Sequence, residues 1–346
     1  MGTYSKELKS TARSLIHKGK GILAMDESNG TCNKRFDALG IPTTELARQS
    51  YRELILTVPG LSDYVGGPIL YDETIRQATR AGVPFLKVIA DAGMIPGIKV
   101  DTGAKDMASR PGEKITEGLD GLRDRIAEYY QMGARFAKWR AVITIGDGIP
   151  SRACIEANAH GLARYAALCQ EGGLVPIVEP EVLIDGDHSL ERCYQVTDET
   201  LDTVFSQLYT QGVAYDQMIL KPSMVIPGKA CPEQASVEAV AEATVRCLLK
   251  NVPATVAGIA FLSGGQTKEQ SSAHLNAMNK LFSDQCTWPD TFSYALAIQQ
   301  PALDNWAGKD SNVEEAQQRL LQRAKFNSLA SKGEYSSDLE KQLAAV

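Results

Sequence analysis

A short apolar run, Gln217-Met218-Ile219-Leu220, ends on Lys221 and is closed by Pro222-Ser223. An apolar strand has little reason to end on lysine unless that lysine faces a cleft. There, desolvation disfavours the charged ammonium and makes a nucleophilic amine available near neutral pH. Such a lysine suits Schiff-base formation with a carbonyl substrate. A surface lysine with its stem on apolar neighbours gives the same local pattern, so the choice rests on other residues.

Several further runs carry an ionisable residue late or in alternation. The run 21–26 ends in Asp26, 97–101 holds Lys99 and Asp101, and 136–143 holds Lys138 and Arg140. The run 174–182 holds Glu179 and Glu181, and 258–263 ends in Ser263. Residues i and i+2 of a strand share a face, so Lys138 points with Arg140 and Glu179 with Glu181. Burying so many charges costs too much for a structural core, but they persist if they pair across a wet, functional mouth. There a lysine amine attacks a ketone, and Glu179 or Glu181 supplies the general acid that removes water from the carbinolamine. The protonated imine withdraws electrons from the adjacent carbon–carbon bond, and Asp26 is a candidate base for its cleavage. Lys99, Arg140 and Arg35 are candidates for holding a phosphate. A glycine-rich turn, Phe261-Leu262-Ser263-Gly264-Gly265-Gln266, precedes a helical pattern whose free N–H groups favour an anion.

The elements that must position these residues follow from periodicity. Apolar runs fall at 21–26, 64–71, 97–101, 136–143, 174–182, up to 221, 258–263 and 292–298. Helical patterns lie near 44–58, 119–132, 152–170, 189–209, 237–249, 267–282 and 313–329. This alternation predicts βα units and a single (β/α)8 TIM barrel, an α/β fold with its functional rim at the strand C-termini. A doubly wound sheet is the main rival, but no G-x-G-x-x-G follows the first run. Residues 1–332 are expected to form the catalytic barrel and 333–346 a mobile tail.

Composition excludes several classes. At 346 residues with 44% hydrophobic and 23% charged content, the chain has the make-up of a soluble globular protein. A net charge of -6 without a basic stripe argues against nucleic-acid binding. No apolar run approaches membrane-spanning length. Met1-Gly2-Thr3-Tyr4-Ser5-Lys6 lacks a signal core and has Lys6 where a myristoylation site wants Ser or Thr. The seven cysteines are scattered, as expected of reduced thiols. His17, His160, His188 and His274 lack metal-ligand spacing, so no metal or other cofactor is expected, and His188 reads as a loop residue.

Taken together, 21–28, 97–101, Phe136-Ala137-Lys138-Trp139-Arg140, 175–181, Leu220-Lys221-Pro222 and 261–266 closely resemble class I fructose-1,6-bisphosphate aldolases, the metal-independent Schiff-base type. The resemblance runs from about residue 6 to 335. It implies a (β/α)8 barrel, usually a homotetramer, acting on a sugar phosphate in glycolysis, gluconeogenesis or the Calvin cycle. The compartment it implies is the cytoplasm, or the plastid stroma after transit-peptide removal. It makes Lys221 the Schiff-base lysine, with Lys138 and Lys99 assisting. Glu179 becomes the main acid/base residue, Glu181 its partner, and Asp26 the carboxylate that handles the C4 hydroxyl. Ser263, Gly264 and Gly265 match the pocket for the ketose C1 phosphate. Ser28, Thr31, Arg35, Lys99 and Arg140 match the other phosphate and its neighbouring hydroxyls, and Tyr294 is a further substrate-binding candidate.

Two departures stand out. In Ser293-Tyr294-Ala295-Leu296-Ala297, Leu296 replaces an arginine that in the family grips the C1 phosphate. Losing such a charge-assisted contact costs about 1.5–3 kcal/mol. The chain also ends Leu343-Ala344-Ala345-Val346, where many members carry a tyrosine that speeds proton exchange on the enamine. Slower enamine protonation is the expectation. The departures leave open a shifted preference, such as a longer ketose bisphosphate, or a low-turnover homologue that acts by binding.

Overall fold

The computed structural model describes residues 3–17 and 19–344, with side chains through 341. Met1-Gly2 and Ala345-Val346, on which the two terminal readings bear, lie outside the described residues. Eight parallel strands close into a barrel: β1 (Gly21–Ala24), β2 (Val65–Leu70), β3 (Gly97–Lys99), β4 (Phe136–Ile143), β5 (Val175–Val182), β6 (Ile219–Leu220), β7 (Gly258–Phe261) and β8 (Asp290–Tyr294). Each pairs with the next in sequence, and β8 with β1.

The principal helices are α1 (Ser5–Leu15), α2 (Asn29–Asp37), α3 (Glu45–Leu56), α4 (Phe85–Asp91), α5 (Leu122–Met132), α6 (Arg152–Glu171), α7 (Leu190–Thr210), α8 (Val237–Asn251), α9 (Lys268–Leu281), α10 (Leu296–Trp306), α11 (Val313–Ala330) and α12 (Ser337–Ala344). Side-chain caps set where several begin. Ser151, Ser189 and Ser236 accept from the backbone of α6, α7 and α8, and Thr267 forms a capping box with Gln270 at α9.

The barrel interior is layered by the two-residue period. Ile22, Ala24, Ile69, Phe136, Val175, Ile177, Ile219 and Ala260 form one buried cluster with Leu8, Ala12, Leu15 and Ile16. Helix α1 and its flank therefore close the bottom of the barrel. Phe136 fills this layer so fully that a Cβ at Gly97 would lie 2.2 Å from its ring. The alternate strand residues, among them Leu23, Trp139, Val178, Leu220 and Tyr294, belong to the shell between strands and helices.

The expected strands and helices form, with one correction. The run 292–298 is not one strand: β8 stops at Tyr294 and α10 starts at Leu296. A short apolar run cannot be told from a helix segment by periodicity alone. An antiparallel hairpin, Gly103–Asp106 with Lys114–Glu117, was not anticipated; Thr116 Oγ1 donates to Arg140 O (2.8 Å) and seats it against β4. Residues set apart as a tail include α12. Its Glu340 accepts from Arg323 Nη1 (2.5 Å) and Tyr335 Oη (2.7 Å). Arg323, only 3% exposed, also donates to Lys268 O and Ser272 Oγ.

Candidate active site

Above the apolar layer the same interior faces turn charged. Lys221 follows β6, Lys138 lies two residues beyond Phe136, Glu179 two beyond Ile177, and Asp26 two beyond Ala24. All are at least nine-tenths buried. They form one chain of ion pairs. Lys221 Nζ lies 3.0 Å from Glu179 Oε1, Lys138 Nζ 3.2 Å from Glu179 Oε2, and Lys138 Nζ 2.6 Å from Asp26 Oδ2. Glu179 Oε2 nonetheless has no well-directed hydrogen bond among the described residues.

Burial alone would raise the carboxyl pKa of Asp26, but Lys138, Lys221 and Lys99 outweigh it and hold the group below its ordinary value. Burial likewise opposes ionisation of Glu179, and Lys138, Lys221 and Arg140 overcome it. Burial would lower Lys138, yet Asp26, Glu179 and Asp101 hold it above its ordinary value. The cluster thus rests as fixed carboxylates around an ammonium that stays charged.

The flanking residues extend this arrangement. Lys99 Nζ donates to Asp101 O (2.8 Å) and pairs with the Asp101 carboxylate, which also accepts from Arg140 N (3.2 Å). Asp101 was read only as a member of its run; its signal was the shared face with Lys99 at i+2. Arg140 pairs with Glu181 and keeps 42% of its side chain exposed. Ser28 caps α2, with its hydroxyl 3.1 Å from Thr31 Oγ1. Arg35 is bound to Glu27, with Gln300 Oε1 at 3.2 Å. Glu27 also accepts from the buried Arg52, and the sequence reading missed this arginine–glutamate–arginine arrangement.

At the end of β7, Gly264 (φ +56) and Gly265 (φ +86) occupy the left-handed region that glycine tolerates. A Cβ at Gly264 would stand 3.9 Å from Glu181 Oε1, so the turn borders the charged cluster. Ser263 is buried beside it. The turn is closed by Gln266 N donating to Ser263 O (3.0 Å), and His274 Nδ1 lies 2.6 Å from Gln266 Oε1.

Tyr294 is a correction. The two-residue period that turns Ser293 inward turns Tyr294 outward, where its hydroxyl donates to Ser271 O of α9 (2.9 Å). Ser293 was missed as a candidate: its Oγ is buried without a hydrogen-bond partner among the described residues. His188 is buried in the loop after β5 with neither ring nitrogen bonded among the described residues, and burial lowers its pKa. Among the described residues, no three His, Cys, Asp or Glu side chains are grouped to hold a metal ion. No described helix is long and apolar enough to cross a membrane.

Comparison with known proteins places this geometry. Residues 7–345 match the family described as fructose-bisphosphate aldolase class-I. A probable fructose-bisphosphate aldolase class 1 of Xanthomonas campestris pv. campestris is 60% identical over 95% of this chain and 98% of its own. Fructose-bisphosphate aldolase 3, chloroplastic, of Arabidopsis thaliana is 49% identical over 98% of this chain and 86% of its own. A solved fructose-bisphosphate aldolase of Plasmodium falciparum, in ternary complex with TRAP and a small-molecule inhibitor, superposes with a TM-score of 0.94 at 46% identity, covering 96% of each chain. The closed barrel with its charged mouth and these whole-length matches agree: the chain belongs to the class-I fructose-bisphosphate aldolase family.

Proposed function

We propose that the protein catalyses reversible, metal-independent cleavage of fructose 1,6-bisphosphate to dihydroxyacetone phosphate and glyceraldehyde 3-phosphate, through an imine on Lys221. The observation that carries this reading is the continuous Lys221–Glu179–Lys138–Asp26 ion-pair chain in the barrel mouth. The Lys221 ammonium passes a proton to Glu179, and the free amine adds to the ketone carbon. Once Lys221 is neutral, one of the cations that kept Glu179 ionised is gone, so the carboxyl holds the acquired proton until the carbinolamine needs it. It returns the proton to the carbinolamine hydroxyl, water leaves, and the iminium forms.

Asp26, held ionised by its lysines, accepts the C4 hydroxyl proton. The C3–C4 electron pair moves into the imine, giving an enamine and releasing glyceraldehyde 3-phosphate. Protonation at C3 and hydrolysis then free dihydroxyacetone phosphate and Lys221. Lys138 stays charged between both carboxylates and positions them, and Glu181 pairs with Arg140 beside Glu179. Ser263, Gly264 and Gly265 take the C1 phosphate. Lys99, Arg140, Arg35, Ser28 and Thr31 take the other end, the three cations exchanging a carboxylate partner for the phosphate. Leu296, 47% exposed at the start of α10, brings no charge to the C1 side. The reading extends to a homotetramer in the cytoplasm or plastid stroma.

Borohydride trapping tests it. With dihydroxyacetone phosphate and a chelator present, reduction should leave a stable adduct that peptide mapping assigns to Lys221. Its absence in folded protein, or its appearance on another lysine, would overturn the imine route.

A further inference from the structure

We infer that Lys229 is a phosphate-binding, specificity-determining residue whose ammonium joins the Gly264-Gly265 turn in taking the phosphate on the ketone side of the substrate. The inference rests on the imine reading above, because it supposes that the ketone carbon lies at Lys221.

Lys229 is held by its backbone. The loops after β5 and β6 are clasped by three hydrogen bonds, from Gly228 N to His188 O, Lys229 N to Ile184 O and Ala230 N to Gly186 O, each 2.8 Å. The fit is close: a Cβ at Gly228 would stand 2.3 Å from Gly186 O. From this clasp the side chain crosses to the glycine turn, where a Cβ at Gly265 would lie 2.6 Å from Lys229 Nζ. Glycine thus suits position 265 for its left-handed backbone, and a side chain there would push the lysine end aside.

The turn is built for an anion. Among the described residues, the amides of Gly264 and Gly265 have no hydrogen-bond partner, and successive free N–H groups make an anion-binding concavity. The turn also lies beside the nucleophile, since Leu262 N donates to Pro222 O (3.1 Å), the residue after Lys221. Glu181 borders Gly264, Leu296 on the neighbouring rim is uncharged, and the cation that stands against Gly265 is Lys229. Its present partner is Asp185 Oδ1 at 3.1 Å, in a pair 49% and 69% exposed. Exposed pairs of this kind contribute little, so phosphate can displace the aspartate.

The test is half-saturation of borohydride trapping on Lys221, with dihydroxyacetone phosphate and with unphosphorylated dihydroxyacetone. The preference for the phosphorylated ketone should fall about tenfold or more in K229M and in K229Q, the size of a charge-assisted contact. It should stay within about threefold of wild type in K229R and rise about two- to threefold in D185N, where the competing carboxylate is gone. Because dihydroxyacetone lacks the phosphate, trapping with it shows whether a variant has kept its fold. An unchanged preference in K229M and K229Q overturns the inference while leaving the imine reading intact. No Lys221 adduct in the wild type with either ketone overturns both.

Discussion

On the interior face of β5, Val175 and Ile177 lie in the apolar cluster that includes Phe136, Ile219 and the plug helix α1. Glu179 and Glu181, the next residues on that face, meet Lys221, Lys138 and Arg140. Most side chains of both halves are buried. The lower half is stabilised by burial of apolar area, whereas the upper half persists because each charge has a partner. Asp290, where β8 begins at the bottom of the barrel, shows what burial does without cations. Burial pushes its carboxyl up to about 7, with Asn279 offsetting part of the effect. Asp26 and Glu179 at the mouth move the other way because lysines surround them. Charge pairing thus decides the sign.

The harshest way to break this comparison is to move a mouth charge one layer down. I177E places a carboxylate among Phe136, Val175 and Ile219, where its cross-strand neighbour Lys138 is already committed to Asp26 and Glu179. We expect a loss of more than about 4 kcal/mol or failure to fold. A denaturant midpoint close to wild type would show that the lower layer is wetter than described.

Removing the unpaired charge at the bottom should act in the opposite direction. The folded-state pKa of Asp290 is raised, so its contribution is fully present below about pH 4 and is lost as pH rises through about 7. D290N keeps the neutral shape. Allowing for the solvent contact that Asp290 retains, it should gain about 2 kcal/mol over wild type at pH 8 and nothing at pH 4. Depressed carboxyls such as Asp26 and Glu179 contribute stability that is present above the ordinary carboxyl range and lost as pH falls below it. That loss cancels in the wild-type-to-D290N difference. A difference that does not change with pH would refute the assignment.

The smallest effect separates shell from mouth. Y294F removes only the hydrogen bond to Ser271 O. Stability should fall by about 1 kcal/mol, with KM for the ketose within about twofold. A tenfold rise in KM would return Tyr294 to the substrate side.

Much of this was legible in the sequence, because a strand writes its inward face every second residue. Asp26, Lys99, Lys138, Glu179 and Lys221 stood out by breaking apolar runs at that period, and the structure gathers them at one mouth. Tyr294 faces the shell and not the mouth, since one step along β8 reverses the facing. Leu296 looked like strand because Ala295-Leu296-Ala297-Ile298 is apolar at either period. The hairpin on β4, the plug helix and the Lys229 clasp left weaker traces. Their contacts join residues far apart in the chain, through backbone groups that every residue carries.

The terminal helix α12 is tied down by Leu339 against the core and by Glu340, which pairs with an arginine already bound elsewhere. If a protease removed the chain from Glu340 onward, Arg323 would still donate to Lys268 O and Ser272 Oγ. The ridge between α9 and α11 would keep its cross-link, so that contact does not depend on the terminal helix.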